Sequence, residues 1–245
     1  MDLKNKVALV TGASRIGQAV ALALAERGFH LVLTYRTSKG IAEKTAKKVL
    51  SRRRKALLVE ADLRYEKDID EVLTQIKEKF GRLDVLVNMA SIYERKAIED
   101  LNLEDWEVNL DVNLKSAYLL SLKASILMRR KGGGKIINFS DWTARSGRPR
   151  YRGYVPYYIA KAGVLGLTEV LALELAPKIL VNTIAPGPIL PPVSSSRKEI
   201  EKVVESTPLR RWGGSAEIAK AVIFLAETEF VTGECIRVDG GRHLY

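Results

Sequence analysis

The chain has 245 residues, 40 Lys+Arg against 29 Asp+Glu for a formal net charge of +11, and a hydrophobic share of 47%. That share excludes wholesale disorder, because enough apolar surface can be buried to offset the ordering entropy, and the length allows one large α/β domain or two small ones. A single cysteine, Cys235, excludes an intrachain disulfide, and two histidines, His30 and His243, leave no Cys/His cluster with zinc spacing.

The opening MDLKNKVALVTGA carries no signal-peptide pattern. Nowhere do roughly 18 apolar residues run together, so no bilayer span is expected. The expectation is a soluble, cytoplasmic protein. Val7–Val10 reads as a first strand, after which Ile16, Ala19, Val20, Ala23 and Leu24 recur at helical spacing until Gly28 supplies a stop. Leu31–Leu33 is the next strand and Ile41–Leu50 a charged helix. Ala56–Val59, Leu83–Val87, Lys135–Phe139, Leu180–Ile184 and Cys235–Val238 complete the strand set, with helical patterns in nearly every gap. This βαβ repetition predicts an α/β fold, a single Rossmann-type doubly wound parallel sheet of about seven strands with helices on both faces.

No composition shift, linker or repeat divides the chain, so residues 1–245 read as one domain. Two stretches escape the alternation: Asp141–Pro156, rich in Arg and Tyr, and Pro186 to Pro208, read as a substrate loop or lid over about 186–208. Both follow strands and therefore belong to the carboxyl edge of the sheet, where open α/β folds bind ligands. The basic runs Arg52–Lys55 and Arg129–Lys131 fall at helix ends, where cations complement the macrodipole; they read as solvated surface.

TGASRIG, directly after the first strand, can bring backbone amides and a helix N-terminus to a pyrophosphate, although glycine-containing turns are common without a nucleotide. The second strand ends in Tyr35, Arg36, Thr37 and Ser38, with no acid for ribose hydroxyls. An Arg at this position accommodates a 2′-phosphate, the alternative being a surface Arg in an ordinary turn.

TGASRIG, Asp62-Leu63, NMAS at Asn88–Ser91, Asn113, YYIAK at Tyr157–Lys161, APGPI at Ala185–Ile189 and VDGG at Val238–Gly241 together resemble the short-chain dehydrogenase/reductase family, in order and over essentially the whole chain. The resemblance implies an NADP(H) site in which Gly12, Ser14, Arg15, Ile16 and Gly17 surround the pyrophosphate. Tyr35, Arg36, Thr37 and Ser38 would then face the 2′-phosphate, and Asp62 with Leu63 the adenine. Asn88 and Ala90 would line the ribose with Ser91 beside them, and Pro186, Gly187 and Ile189 the nicotinamide. Tyr157 and Lys161 fall on the family's catalytic tyrosine and lysine, and Asn113 on its water-holding asparagine. Residues four apart share a helix face, so the Lys161 ammonium is expected to lower the Tyr157 pKa from about 10 toward the range of a working general acid.

Three departures stand out. In INFSDW the position of the family's catalytic serine holds Asp141, with Ser140 before it. The family's pteridine reductases resemble this chain in that aspartate, in an arginine in the glycine turn (Arg15) and in a serine after the fourth strand (Ser91). An ionised carboxylate only accepts hydrogen bonds and suits a ring or amino N–H, whereas a protonated one also donates. The alternative pairs Ser140 with Tyr157 and leaves Asp141 to cap a turn. The glycine turn is one residue short, with Gly12 and Gly17 only five apart, and the stretch before Tyr157 adds Arg145, Arg148, Arg150 and Arg152. Those arginines suit an anionic substrate, an exposed loop or a subunit contact.

The resulting expectation is an NADPH-dependent reductase of a small molecule, pteridine-like or carbonyl, with Tyr157 as proton donor and Asp141, Arg15 and Ser91 orienting the substrate. The same scaffold serves 3-oxoacyl-carrier-protein reductases and general ketone or aldehyde reductases, and a non-enzymatic NADPH-binding regulator is the reading from another class. No nucleic-acid or membrane partner is expected, since basic and aromatic residues are not interleaved. The resemblance implies a homotetramer.

Overall fold

The computed structural model describes residues 4–192 and 195–244. Seven strands, β1 (Val7–Thr11), β2 (His30–Tyr35), β3 (Ala56–Glu60), β4 (Val85–Asn88), β5 (Gly134–Phe139), β6 (Ile179–Pro186) and β7 (Cys235–Val238), form one sheet in the order β3-β2-β1-β4-β5-β6-β7. Every neighbouring pair is parallel. The α/β doubly wound architecture expected from the βαβ repetition is the one observed. Because the chain leaves β1 toward β2 on one side and β4 lies on the other, the strand order reverses there and opens a crevice at the carboxyl ends.

The helices are α1 (Ile16–Glu26), α2 (Lys39–Ser51), α3 (Glu66–Phe80), α4 (Leu103–Leu110), α5 (Ser116–Arg129), α6 (Trp142–Arg145), α7 (Val155–Leu175), α8 (Arg197–Glu205) and α9 (Ser215–Glu227). On one face, Val20 and Leu24 of α1, Ala42 and Val49 of α2 and Ile218 and Val222 of α9 pack on Val10, Leu31 and Leu33. On the other, Ile69 and Val72 of α3, Leu120 and Met128 of α5 and Leu171 of α7 pack on Leu9, Leu86 and Ile136. Strands buried on both faces read as unbroken apolar runs, which is why VALV and the following βα units were legible.

Differences from the sequence expectation have local causes. The fourth strand begins at Val85 rather than Leu83, because the Asp84 carboxylate accepts from the Val7 amide at 2.9 Å and from Arg82 Nη2 at 2.6 Å. The stretch 141–156 contains α6, since the Asp141 side chain accepts from the Thr143 amide and caps it. A single π turn over Asp111–Lys115 joins α4 to α5, so Asn113 sits in a widened turn. In the basic runs, Arg52 pairs with Glu26 at 2.9 Å and Arg129 donates to the Glu174 carbonyl at 3.3 Å. Among the described residues no helix is long and apolar enough to cross a membrane.

Candidate active site

The residues proposed for cofactor and catalysis leave strands at the carboxyl edge or stand on helices and turns beside it. At the end of β1 the Thr11 hydroxyl accepts from the Met89 and Ala90 amides, both at 2.9 Å, binding the glycine turn to the end of β4. Gly12 has φ +75°, and a Cβ there would lie 3.4 Å from the Ala90 backbone. A Cβ on Gly17 would meet the Gly12 carbonyl at 2.1 Å, so this turn tolerates no side chain at its tightest point. The short turn closes through the Gly17 amide on the Ser14 carbonyl at 2.9 Å, with Arg15 at φ 46°, a region disfavoured for a non-glycine residue. The Arg15 side chain reaches out of it, Nη2 donating to the Pro191 carbonyl at 2.7 Å.

This cradle fits a phosphorylated dinucleotide: two glycine positions that disfavour side chains, the N-terminus of α1 beside them, and Arg36 exposed at the end of β2 with no acid on that strand end. Ser14, Ile16, Tyr35, Thr37 and Ser38 lie around the same edge. Asp62 follows β3, and its carboxylate is already held by Arg64 Nη2 at 2.6 Å. Leu63 and Ile189 are buried in the two hydrophobic cores, so these two offer the crevice backbone rather than side chain. Asn88 likewise turns its side chain inward, Nδ2 donating to Asn138 Oδ1 at 2.9 Å and Ser121 Oγ at 3.2 Å. Pro186 ends β6 and Gly187 follows it, so close to Asp239 that a Cβ there would lie 2.5 Å from the Asp239 Cβ.

Across the crevice α7 presents Tyr157, whose hydroxyl donates to Asp141 Oδ2 at 3.2 Å. The other Asp141 oxygen accepts from the Thr143 amide at 2.8 Å and the Thr143 hydroxyl at 2.6 Å. Ser140 is buried and donates to the Lys161 carbonyl at 2.7 Å, so Asp141, not Ser140, meets the tyrosine. Lys161 Nζ donates to the Phe139 carbonyl at 2.9 Å and stands 5.7 Å from the Tyr157 ring centre.

The expected lowering of the phenol pKa is reversed. Burial, followed by the Asp141 carboxylate, pushes Tyr157 well above the usual tyrosine value, while burial pulls Lys161 down to about 8 against support from Asp141. The physical reason is burial of the phenol first, and then the carboxylate that touches it, while the ammonium is hydrogen-bonded to a backbone carbonyl. Tyr157 is thus held as a protonated donor.

Asn113 is buried in the π turn, Oδ1 accepting from the Ser91 hydroxyl at 2.6 Å and Nδ2 donating to the Ile92 carbonyl at 3.2 Å. Tyr93 stacks on Tyr154 at 4.3 Å and meets the Tyr157 ring edge-on at 4.7 Å, forming an aromatic wall that no sequence pattern announced. Of the four loop arginines, Arg150 lies over the Trp142 ring at 6.0 Å and Arg145 faces Glu234 at 3.9 Å. Arg148 and Arg152 are exposed at the rim.

The sheet order, the glycine cradle and a Tyr–Asp–Lys cluster facing it across the crevice define a dinucleotide-binding oxidoreductase. The family described as enoyl-(acyl carrier protein) reductase matches residues 10–243, and the chain belongs to the short-chain dehydrogenase/reductase family of oxidoreductases. It is 36% identical to a 3-oxoacyl-(acyl-carrier-protein) reductase of Synechocystis sp., covering 99% of each chain. It is 38% identical to one of Staphylococcus aureus, covering 98% of this chain and 99% of that one. A short-chain dehydrogenase/reductase from Serratia marcescens superposes with TM-score 0.92 at 32% identity, over 99% of this chain and 100% of that one. A blue fluorescent protein from a metagenomic library, solved in complex with NADPH, superposes with TM-score 0.91 at 30% identity over 99% of both chains. Both curated relatives bear the names of ketoacyl reductases, not of pteridine reductases.

Proposed function

We propose that this protein is an NADPH-dependent reductase of carbonyl groups, with a 3-oxoacyl thioester as its substrate class. The observation that carries the reading is Tyr157 of α7, half-buried, its hydroxyl on Asp141 and held protonated. The names of the relatives at 36% and 38% identity support the thioester. The cofactor rests on the fit of the cradle and on the neighbour solved with NADPH. Gly12, Ser14, Arg15, Ile16 and Gly17 would hold its pyrophosphate, Arg36 with Tyr35, Thr37 and Ser38 its 2′-phosphate, and Asp62 with Leu63 its adenine. The backbone at Asn88, Ala90 and Ser91 would meet the ribose, and that at Pro186, Gly187 and Ile189 the nicotinamide.

NADPH, when bound, supplies the hydride. As the substrate oxygen gains negative charge, Tyr157 turns its hydroxyl from Asp141 to that oxygen and donates the proton. Lys161 binds the ribose and carries positive charge below pH of about 8, and Asn113 holds the route by which the phenol regains its proton. The described parts of the stretch 186–208, which include α8, would act as the lid that excludes water; Val193 and Ser194 within it lie outside the described residues. The outward faces of α5 and α7 serve assembly into a homotetramer, and the protein works in the cytoplasm.

Asp141 favours a second reading. A carboxylate beside a developing oxyanion is unfavourable, whereas it accepts well from the ring or amino N–H of a pteridine-like heterocycle. Asp141→Ser separates the two. Under carbonyl reduction this change raises kcat/KM for an acetoacetyl thioester by about tenfold, since one like charge is removed and a donor added. A dihydropterin rate present in the wild type and lost in Asp141→Ser would move the assignment to the heterocycle.

A further inference from the structure

After β7 the chain ends in a short helical turn, Arg242–Leu244, that lies between α8 and the start of α6. Its base is built on Asp239, whose Oδ1 accepts from the Gly241 amide at 3.0 Å and whose Oδ2 accepts from the His243 amide at 3.1 Å. His243 Nδ1 stands 2.7 Å from the same Oδ2. Gly240, at φ +64°, passes so close to Thr207 that a Cβ would lie 2.8 Å from its Cγ2, and the Gly240 carbonyl accepts from the Leu209 amide at 3.2 Å. Backbone contacts therefore fix the turn against the residues that follow α8.

From this turn the Arg242 guanidinium reaches two ways. Nη1 donates to the Val203 carbonyl of α8 at 3.1 Å and to the buried Thr207 hydroxyl at 3.4 Å. The guanidinium carbon stands 5.5 Å from the centre of the Trp142 ring, within the range of a cation–π contact. Tyr151 meets that ring edge-on at 6.2 Å, and Arg150 approaches it at 6.0 Å from an exposed position on the rim.

Trp142 is 5% exposed and opens α6 directly after Asp141. With only four residues, α6 is too short to hold itself, so the placement of Asp141 depends on what packs against its neighbour. Asp141 caps α6 with one oxygen and puts the other 3.2 Å from the Tyr157 hydroxyl. A displacement of about 0.5 Å would carry that contact out of hydrogen-bond range.

We propose that Arg242 is a positioning residue, which ties Trp142 to α8 and thereby fixes the Asp141 carboxylate on Tyr157. The inference rests on the reading of Tyr157 as proton donor given above, and adds to it a part for the C-terminal turn. Action through Asp141 and action through the cation's own field have opposite signs. Loss of a cation by itself raises the pKa values of Tyr157 and Lys161, whereas loss of the carboxylate contact lowers both. Tyr93, Tyr154 and Lys161, which also face the phenol, are retained in every variant below.

The test is the alkaline limb of the kcat/KM profile with NADPH and an acetoacetyl thioester, alongside the NADPH dissociation constant. The proteins are the wild type, Asp141→Asn, Arg242→Met and the double variant Asp141→Asn/Arg242→Met. Arg242→Met is expected to move the limb to lower pH by at least about half the shift of Asp141→Asn, with NADPH affinity within about twofold of the wild type. The double variant, with no carboxylate left to place, is expected to match Asp141→Asn within about 0.3 pH unit. Should Arg242→Met not fold, Arg242→Gln keeps a donor for Val203 and is expected to shift the limb the same way. An arginine variant whose limb stays or moves upward, or a double variant shifted by the sum of the two single changes, would overturn the proposal. A limb that Asp141→Asn leaves in place would overturn the Tyr157 reading and this inference with it; one that moves for Asp141→Asn alone overturns only the part assigned to Arg242.

Discussion

Asp141 touches the proton donor and also bears electrostatically on the lysine, and it pushes both pKa values the same way. Its carboxylate raises Tyr157 by repulsion and hydrogen bonding and raises Lys161 by attraction, although burial still leaves Lys161 at about 8. Both groups work in their protonated forms, so activity is present at lower pH and falls as pH rises through the lysine value of about 8. Removing the carboxylate lowers both pKa values. Asp141→Asn is therefore expected to move the alkaline limb of the kcat/KM profile to lower pH, and an unmoved or upward-shifted limb would show that neither group governs it. Residue spacing alone pointed to the opposite influence on Tyr157, because four-residue spacing brings Lys161 to the right face but reveals neither the burial of the pair nor the Asp141 carboxylate on the phenol.

At the scale of elements, the motifs were legible because each is the end of a strand, and strand ends are marked by apolar runs stopping at small or polar residues. The glycine turn shows how strictly such an end is built. Gly17→Ala would place a methyl group 2.1 Å from the Gly12 carbonyl, so the turn must open. Loss of NADPH affinity by about 100-fold or more is expected, with a lowered melting temperature; wild-type affinity would show that the turn is not the phosphate cradle. Less legible were contacts made only by tertiary packing. The Tyr93–Tyr154 stack joins the end of β4 to the start of α7, and the polar ladder from Asn88 through Asn138 to Thr168 and Thr183 crosses three strands and a helix. The Asp62–Arg64 pair lay within reach of sequence reading, two residues apart, but only the closed turn shows that the fork is complete.

At the scale of the whole molecule, the net charge is +11. Tyr118 and Ile126 on α5 and Ile159, Val170 and Leu173 on α7 are exposed, Leu173 at 80%, on two helices that pack against each other. Exposed apolar side chains on two packed helices are what the assembly proposed above would bury. Sedimentation velocity is expected to give a tetramer for the wild type and smaller species for Val170→Asp/Leu173→Asp; a wild-type monomer would remove the assembly from the account.

The most direct test of the central claim is the initial rate of NADPH oxidation with an acetoacetyl thioester, for the wild type and Tyr157→Phe, with a dihydropterin in parallel. The account predicts thioester turnover by the wild type and a loss of about 10²- to 10⁴-fold in kcat when the proton donor is removed, with NADPH still bound. Turnover that survives Tyr157→Phe undiminished, or turnover of the dihydropterin alone, would contradict it.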